Sequence, residues 1–65
     1  MIKIGQVWEM SGDSWSPSNK GRLIIIIDVD YSHASFRFLG DNGHKRSDGW
    51  DLGRFIDIFT LVVDV

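Results

Sequence analysis

Arg22-Leu23-Ile24-Ile25-Ile26-Ile27-Asp28-Val29-Asp30-Tyr31 is the stretch on which the fold turns. Consecutive isoleucines are stiff at χ1 and suit a pleated strand better than a helix. Alternate residues of a strand point to opposite faces, so Leu23, Ile25, Ile27, Val29 and Tyr31 share one side. Ile24 and Ile26 share the other, which turns polar at Asp28 and Asp30. The strand is apolar on both faces over half its length. In a chain of 65 residues that pattern calls for a small closed barrel, or for a second subunit laid over one face.

Length allows one domain, residues 1–65, and no second core. Domains of this size bury only about 60% of their unfolded surface and usually need a staple. Cysteine is absent, so neither a disulfide nor a thiolate metal site supplies it. A hydrophobic fraction of 43%, with three Trp and four Phe, is too high for a disordered tail and provides large aromatic area instead. Self-association is the remaining common aid, and the two-faced Ile run invites it. No segment approaches the ~18 apolar residues of a membrane span, and no signal-peptide core follows Met1. The expectation is a soluble protein of the cytoplasm. A net charge of −2 opposes the clustered cations of a duplex grip, so nucleic acid is the least favoured partner.

Five strands and no long helix are expected. The first covers Lys3–Met10, with Ile4, Gln6, Trp8 and Met10 on one side. Ser11 to Gly21 is a loop rich in Ser, Gly, Asn and Pro17, which excludes a central strand there. The Ile run is the second strand and Ala34–Leu39 the third. Asp41-Asn42-Gly43 is a hairpin signal, because Asn-Gly tolerates the positive φ of a type I′ turn. The fourth strand covers Lys45–Leu52, interrupted or bulged by Gly49, and Phe59–Val65 is the fifth. Gly53-Arg54-Phe55-Ile56 fits a single 3₁₀ turn between them, no 11-residue window having a clean helical period. Short strands with one long early loop and tight later turns match an all-β, five-stranded SH3-like barrel, whose closure would remove unpaired edges.

Gly5-Gln6-Val7-Trp8, then Gly21-Arg22 before an apolar strand, then Leu52-Gly53-Arg54-Phe55 before Leu61-Val62, together form a pattern. It resembles short uncharacterised SH3-like proteins of bacteriophages and mobile elements. The resemblance implies a phage or bacterial source and a non-enzymatic binding role, and it carries no site residues.

Enzymatic signatures are missing: no glycine-rich phosphate loop precedes a helix and no histidines sit at helical metal spacing. Ser32 or Ser35 with His33 and Asp30 contains the residue types of a triad, but triads are defined by geometry, and solvated turn residues explain the cluster. Asp28 and Asp30 are read as solubilising a strand end and blocking edge pairing, and His44 near Asp41 falls short of a metal site. No cofactor is implied. Trp8 belongs to the core.

The candidate site gathers Trp15, Lys20 and Arg22 from the long loop with His44, Lys45, Arg46 and Trp50 around the hairpin, and Arg37 on the third strand. Aromatic faces stack on bases or anchor peptides, while cations hold phosphates. Reading Trp15 and Trp50 as lids over the open ends of a small barrel, with the charges simply solvated, is plainer and is preferred to a ligand site. Three functions follow. The first is an inhibitor or adaptor engaging a bacterial host protein through this aromatic-basic rim. The second is an oligomeric anti-defence protein that sequesters a small phosphorylated ligand, such as a signalling nucleotide. The third and weakest is single-stranded nucleic-acid binding.

Overall fold

The structure, a computed structural model, describes residues 1–11, 20–40 and 46–65, with side chains of the last segment from residue 49 onward. It contains β1 (Val7–Met10), β2 (Leu23–Val29), β3 (His33–Phe38), β4 (Arg46–Asp51), α1 (Leu52–Ile58) and β5 (Phe59–Val63). All pairings are antiparallel, in one five-stranded sheet of order β4-β3-β2-β1-β5. The expected all-β fold is present, but the sheet is open. β4 and β5 stand at its two edges, and α1 links them across the gap that a closed barrel would seal with hydrogen bonds.

The expected single turn at residues 53–56 is a seven-residue α-helix. Asp51 caps it, its carboxylate accepting from Arg54 N at 3.2 Å. Leu52, Phe55 and Ile58 recur at the spacing of one helix face, and Phe55 and Ile58 are buried. Two turns are too short to register in a longer window, which is why periodicity passed over them.

β1 begins at Val7 rather than Lys3. Ile4 and Gly5 form a turn in which Gly5 takes φ 94° and Gln6 N donates to Lys3 O at 3.2 Å. β5 likewise ends at Val63.

β2 resolves the two-faced isoleucine run. Ile24 and Ile26, 0% and 1% exposed, point into the core opposite Phe38 and Phe36. Ile25 pairs with Val7 on one side and Arg37 on the other, on the outer face. The β2–β3 register then shifts between Ile26 and Asp28, and Val29 lines up with buried Ala34. This bulge exchanges the faces, so Val29 packs on the core while Asp28 is exposed. Val29 is therefore not on the side of Ile25, as strict alternation requires. The bulge expected at Gly49 is present as well: the β3–β4 register shifts between Ala34 and Phe36, Gly49 takes φ 71°, and its N–H donates to Ser35 Oγ at 3.3 Å.

The core is aromatic. Phe36 lies 5.2 to 6.0 Å from Phe38, Trp50, Phe55 and Phe59, ring centre to ring centre. Phe55 and Phe59 stack at 4.3 Å, and Trp8 meets Phe55 edge-on at 5.1 Å. Such pairs contribute about 0.5–1.5 kcal/mol each beyond their buried area. Large rings let a short chain assemble a continuous core without a staple.

Candidate functional site

The β2–β3 connection positions a concavity. Asp30 Oδ1 accepts from Ser32 N at 2.8 Å, His33 N at 2.7 Å and Ser32 Oγ at 3.3 Å. Its own N–H donates to His33 O at 2.9 Å. The side chain thus closes a tight turn that a bare backbone would leave open. These N–H donors hold the Asp30 carboxyl below its ordinary 3.8, so it is ionised at neutral pH. The turn forces Tyr31 outward, 97% exposed, and Ser32 O accepts from Leu52 N at 3.1 Å, fastening the start of α1 to it.

A cleft of about 320 Å³ lies between this turn, the α1 surface and the Met1–Ile2 segment. Met1, Ile2, Val29, Tyr31, Leu52 and Ile56 line it, with Asp30 as the charged group. Ile56 is 61% exposed although its helix neighbour Phe55 is buried. The cleft is therefore apolar, accessible and rimmed by one aromatic ring. Its chemistry is the reception of apolar side chains.

Asp30, Ser32 and His33 do come together, but not as a triad. Ser32 Oγ lies 2.7 Å from His33 Nδ1, while the carboxylate contacts the hydroxyl and two backbone N–H groups. A triad carboxylate orients the imidazole, and here it folds a turn. Asp28 and Asp30 are exposed at the end of β2, as a solubilising role at a strand end expects, but β2 lies inside the sheet, so they block no edge pairing.

A second polar node is buried. Gln6, 1% exposed, accepts at Oε1 from Lys3 N (2.7 Å) and Trp8 Nε1 (3.1 Å), and donates from Nε2 to Met1 O (3.2 Å) and Asp64 Oδ1 (2.8 Å). The Gly5-Gln6-Val7-Trp8 motif is thereby an anchor: the glycine makes the turn, and the glutamine ties Trp8 to both chain termini. The Gln6 amide, then the Val65 N–H, hold the Asp64 carboxyl below its ordinary value.

The residues of the expected aromatic-basic rim divide. Trp15, His44 and Lys45 lie outside the described residues, as does the Asn42-Gly43 turn. Lys20 and Arg22 lead into β2, and the Arg22 guanidinium sits 4.5 Å from the centre of the Phe38 ring. Arg37 is exposed on β3, with Arg46 opposite it in the register. These four positions lie toward the end of the sheet where β2 and β4 begin and β3 ends. Trp50 stands at the far end of β4, opposite Ala34, packed 5.8 Å from Phe36 and 5.6 Å from Phe59. Four residues of strand, ~13 Å, separate it from Arg46 along the backbone. Trp50 is half-buried against the core.

Of the residues that line the cleft, the sequence pointed to none of Met1, Ile2, Leu52 and Ile56. Ile56 carried a usable signal: it is the apolar residue that does not fit the Leu52–Phe55–Ile58 stripe. Among the described residues no group of three His, Asp or Glu side chains converges, and no helix is long and apolar enough to cross a membrane. No protein-family model matches the chain, and neither a curated protein nor a solved structure matches it.

Proposed function

We propose that this chain is a small non-catalytic binding protein that receives apolar side chains of another protein in the cleft beside the β2–β3 turn. The observation that carries the reading is the cleft itself: an apolar hollow whose rim exposes Tyr31, Met1 and Ile56 on a rigid, side-chain-closed turn and a capped helix. Exposed aromatic and aliphatic anchors on a preorganised frame are what dominate protein interfaces. A pocket of this size falls at the small end of ligand sites, suited to one or two side chains rather than a large cofactor.

We read the architecture as SH3-like, with the last strand returning beside the first and a short helix leading into it, and with the final seam left unpaired. The resemblance to small phage proteins makes a bacterial host protein the partner, engaged as inhibitor or adaptor. In this reading the contact surface is the apolar cleft in place of the aromatic-basic rim, because Trp50 packs half-buried against Phe36 and Phe59, away from Arg46.

The test is affinity capture from bacterial lysate with wild-type protein and with Tyr31→Ala and Ile56→Asp, both at exposed positions. One polypeptide retained by wild type and depleted at least about tenfold by each variant is expected, since anchor truncations cost 1.4 kcal/mol or more. Capture indifferent to both variants overturns the reading. So does native mass spectrometry that finds a small phosphorylated molecule on the protein in place of a polypeptide.

A further inference from the structure

One charge interrupts the apolar lining of the cleft beside the β2–β3 turn, the carboxylate of Asp30. All three hydrogen bonds that this side chain accepts go to Oδ1, from Ser32 N, Ser32 Oγ and His33 N. Oδ2 accepts from no group among the described residues. The bases of the surroundings are placed otherwise. His33 acts on Asp30 through space, but its Nδ1 meets the Ser32 hydroxyl. Lys3 and the Met1 ammonium act on Asp64. Arg54 lies about 160° around α1 from both Leu52 and Ile56, the helix residues that line the cleft. Asp28, exposed two residues before Asp30, adds to the negative field. Directly after Asp30 comes the Tyr31 ring, almost wholly exposed on the same rim.

We infer that the occupant of this cleft is a protein segment in which a large apolar side chain lies next to a cation, arginine by preference. The inference rests on the binding role proposed above and names the chemistry of the partner. The apolar side chain fills the hollow between Ile2, Leu52 and Ile56, and the guanidinium reaches the rim. There it donates to Asp30 Oδ2 and lies over the Tyr31 ring. A hydrogen bond between charged groups is stronger than a neutral one, and a cation over an aromatic face gains further attraction. Arginine satisfies both at once, because its planar group stacks on a ring while its edge donates. An ammonium is compact and more strongly hydrated. An acidic residue in the same place would meet two aspartates, which is a repulsive contact. The two oxygens of Asp30 thus divide the work: Oδ1 closes the turn, and Oδ2 reads the partner. An apolar hollow alone accepts any apolar side chain, and the charge on its rim selects among them.

Selection from a random peptide library displayed on phage, with the wild-type protein as bait, reads this preference. The selected peptides should carry Arg or Lys beside Leu, Ile, Phe or Trp, and fluorescence anisotropy of synthetic versions supplies their dissociation constants. Asp30→Asn is the decisive variant, because an asparagine Oδ1 still accepts from the Ser32 and His33 N–H groups while the charge is lost. It should weaken binding about fivefold or more, and raising salt to about 0.5 M should weaken the wild type more than the variant. Citrulline in place of the peptide's arginine should cost the wild type a similar factor and Asp30→Asn almost nothing. Ile56→Gln, uncharged and at an exposed helix position, should weaken every selected peptide and reports on the cleft itself. Circular dichroism melts establish that both variants are folded. Peptides that need Ile56 but carry no cation, or that bind Asp30→Asn within about twofold of the wild type, overturn the inference and leave the cleft as a binding site. A library that yields no binder, or binders indifferent to Ile56→Gln, overturns both.

Discussion

Isoleucine occupies four successive positions of β2, and neighbours only one residue apart live in opposite surroundings. Ile24 and Ile26 are sealed beneath Phe38 and Phe36, whereas Ile25 faces outward between Val7 and Arg37. Chemistry does not distinguish them. Their fate is set by which parity the sheet turns toward the aromatic cluster, and the bulge before Asp28 ends the arrangement by exchanging the faces. The same side chain is a structural requirement on one face and an exposed apolar group, available for contact, on the other.

The largest expected effect breaks the comparison if it is wrong. Ile24→Ala should lose about 2–5 kcal/mol in urea denaturation, and Ile25→Ala less than ~1.5 kcal/mol, since only the first leaves a closed cavity. The total stability expected of a domain this size is about 3–10 kcal/mol, so Ile24→Val, at about 0.5–1.5 kcal/mol, serves as the graded companion. Equal losses at positions 24 and 25 would show that both faces are core.

Gln6 sharpens the account of the inner face, because it is polar and still buried. Gln6→Leu keeps the volume but strands Trp8 Nε1 and the Lys3 N–H without their acceptor. A loss of about 1–3 kcal/mol is expected from the same denaturation experiment. A neutral result would mean that burial at this position depends on shape alone. Gly49 probes the second bulge. Its φ of 71° disfavours any side chain, so Gly49→Ala should cost about 1–2 kcal/mol while the Phe36–Trp50 packing keeps its near-ultraviolet circular dichroism.

The smallest effect is electrostatic and belongs to the exposed rim. Asp64 and Asp30 have folded pKa values below the ordinary 3.8. Between the folded values and 3.8 the unfolded chain binds more protons than the folded one, so stability rises with pH there. It is complete above that window and lost as pH falls through the folded values. Asp64→Asn should flatten this acid loss in thermal melts taken from neutral pH down to acid, and leave the mid-pH plateau nearly level. An unchanged acid profile would assign the loss to Asp30.

The positions of the strands were largely legible, because β-branched and aromatic runs separated by Gly, Asn and Pro clusters encode strand and turn locally. Gly49 announced a bulge for the same reason. Strand ends were not legible where a tertiary contact decides them, as at Gln6, whose partners include Asp64, far along the chain. The helix escaped because Leu52, Phe55 and Ile58 mark only two turns, and its stability comes from Phe55 sitting among Trp8, Phe36 and Phe59. The candidate site was not visible in the sequence: Tyr31 read as the end of the Ile-rich strand rather than as part of a turn, and nothing local brings residues 1 and 56 together.

By itself the sequence determined an all-β domain with an Ile-rich strand in its middle, because period, β-branching and turn chemistry act over a few residues. Only the tertiary structure decided that Ile24 and Ile26 are buried while Ile25 faces out, that Trp50 packs half-buried on Phe36 and Phe59, that a helix bridges an unsealed edge, and that the open cleft lies beside Tyr31. Each of those depends on long-range burial, where the free energy of removing apolar surface from water selects among local arrangements that the chain alone leaves nearly equal.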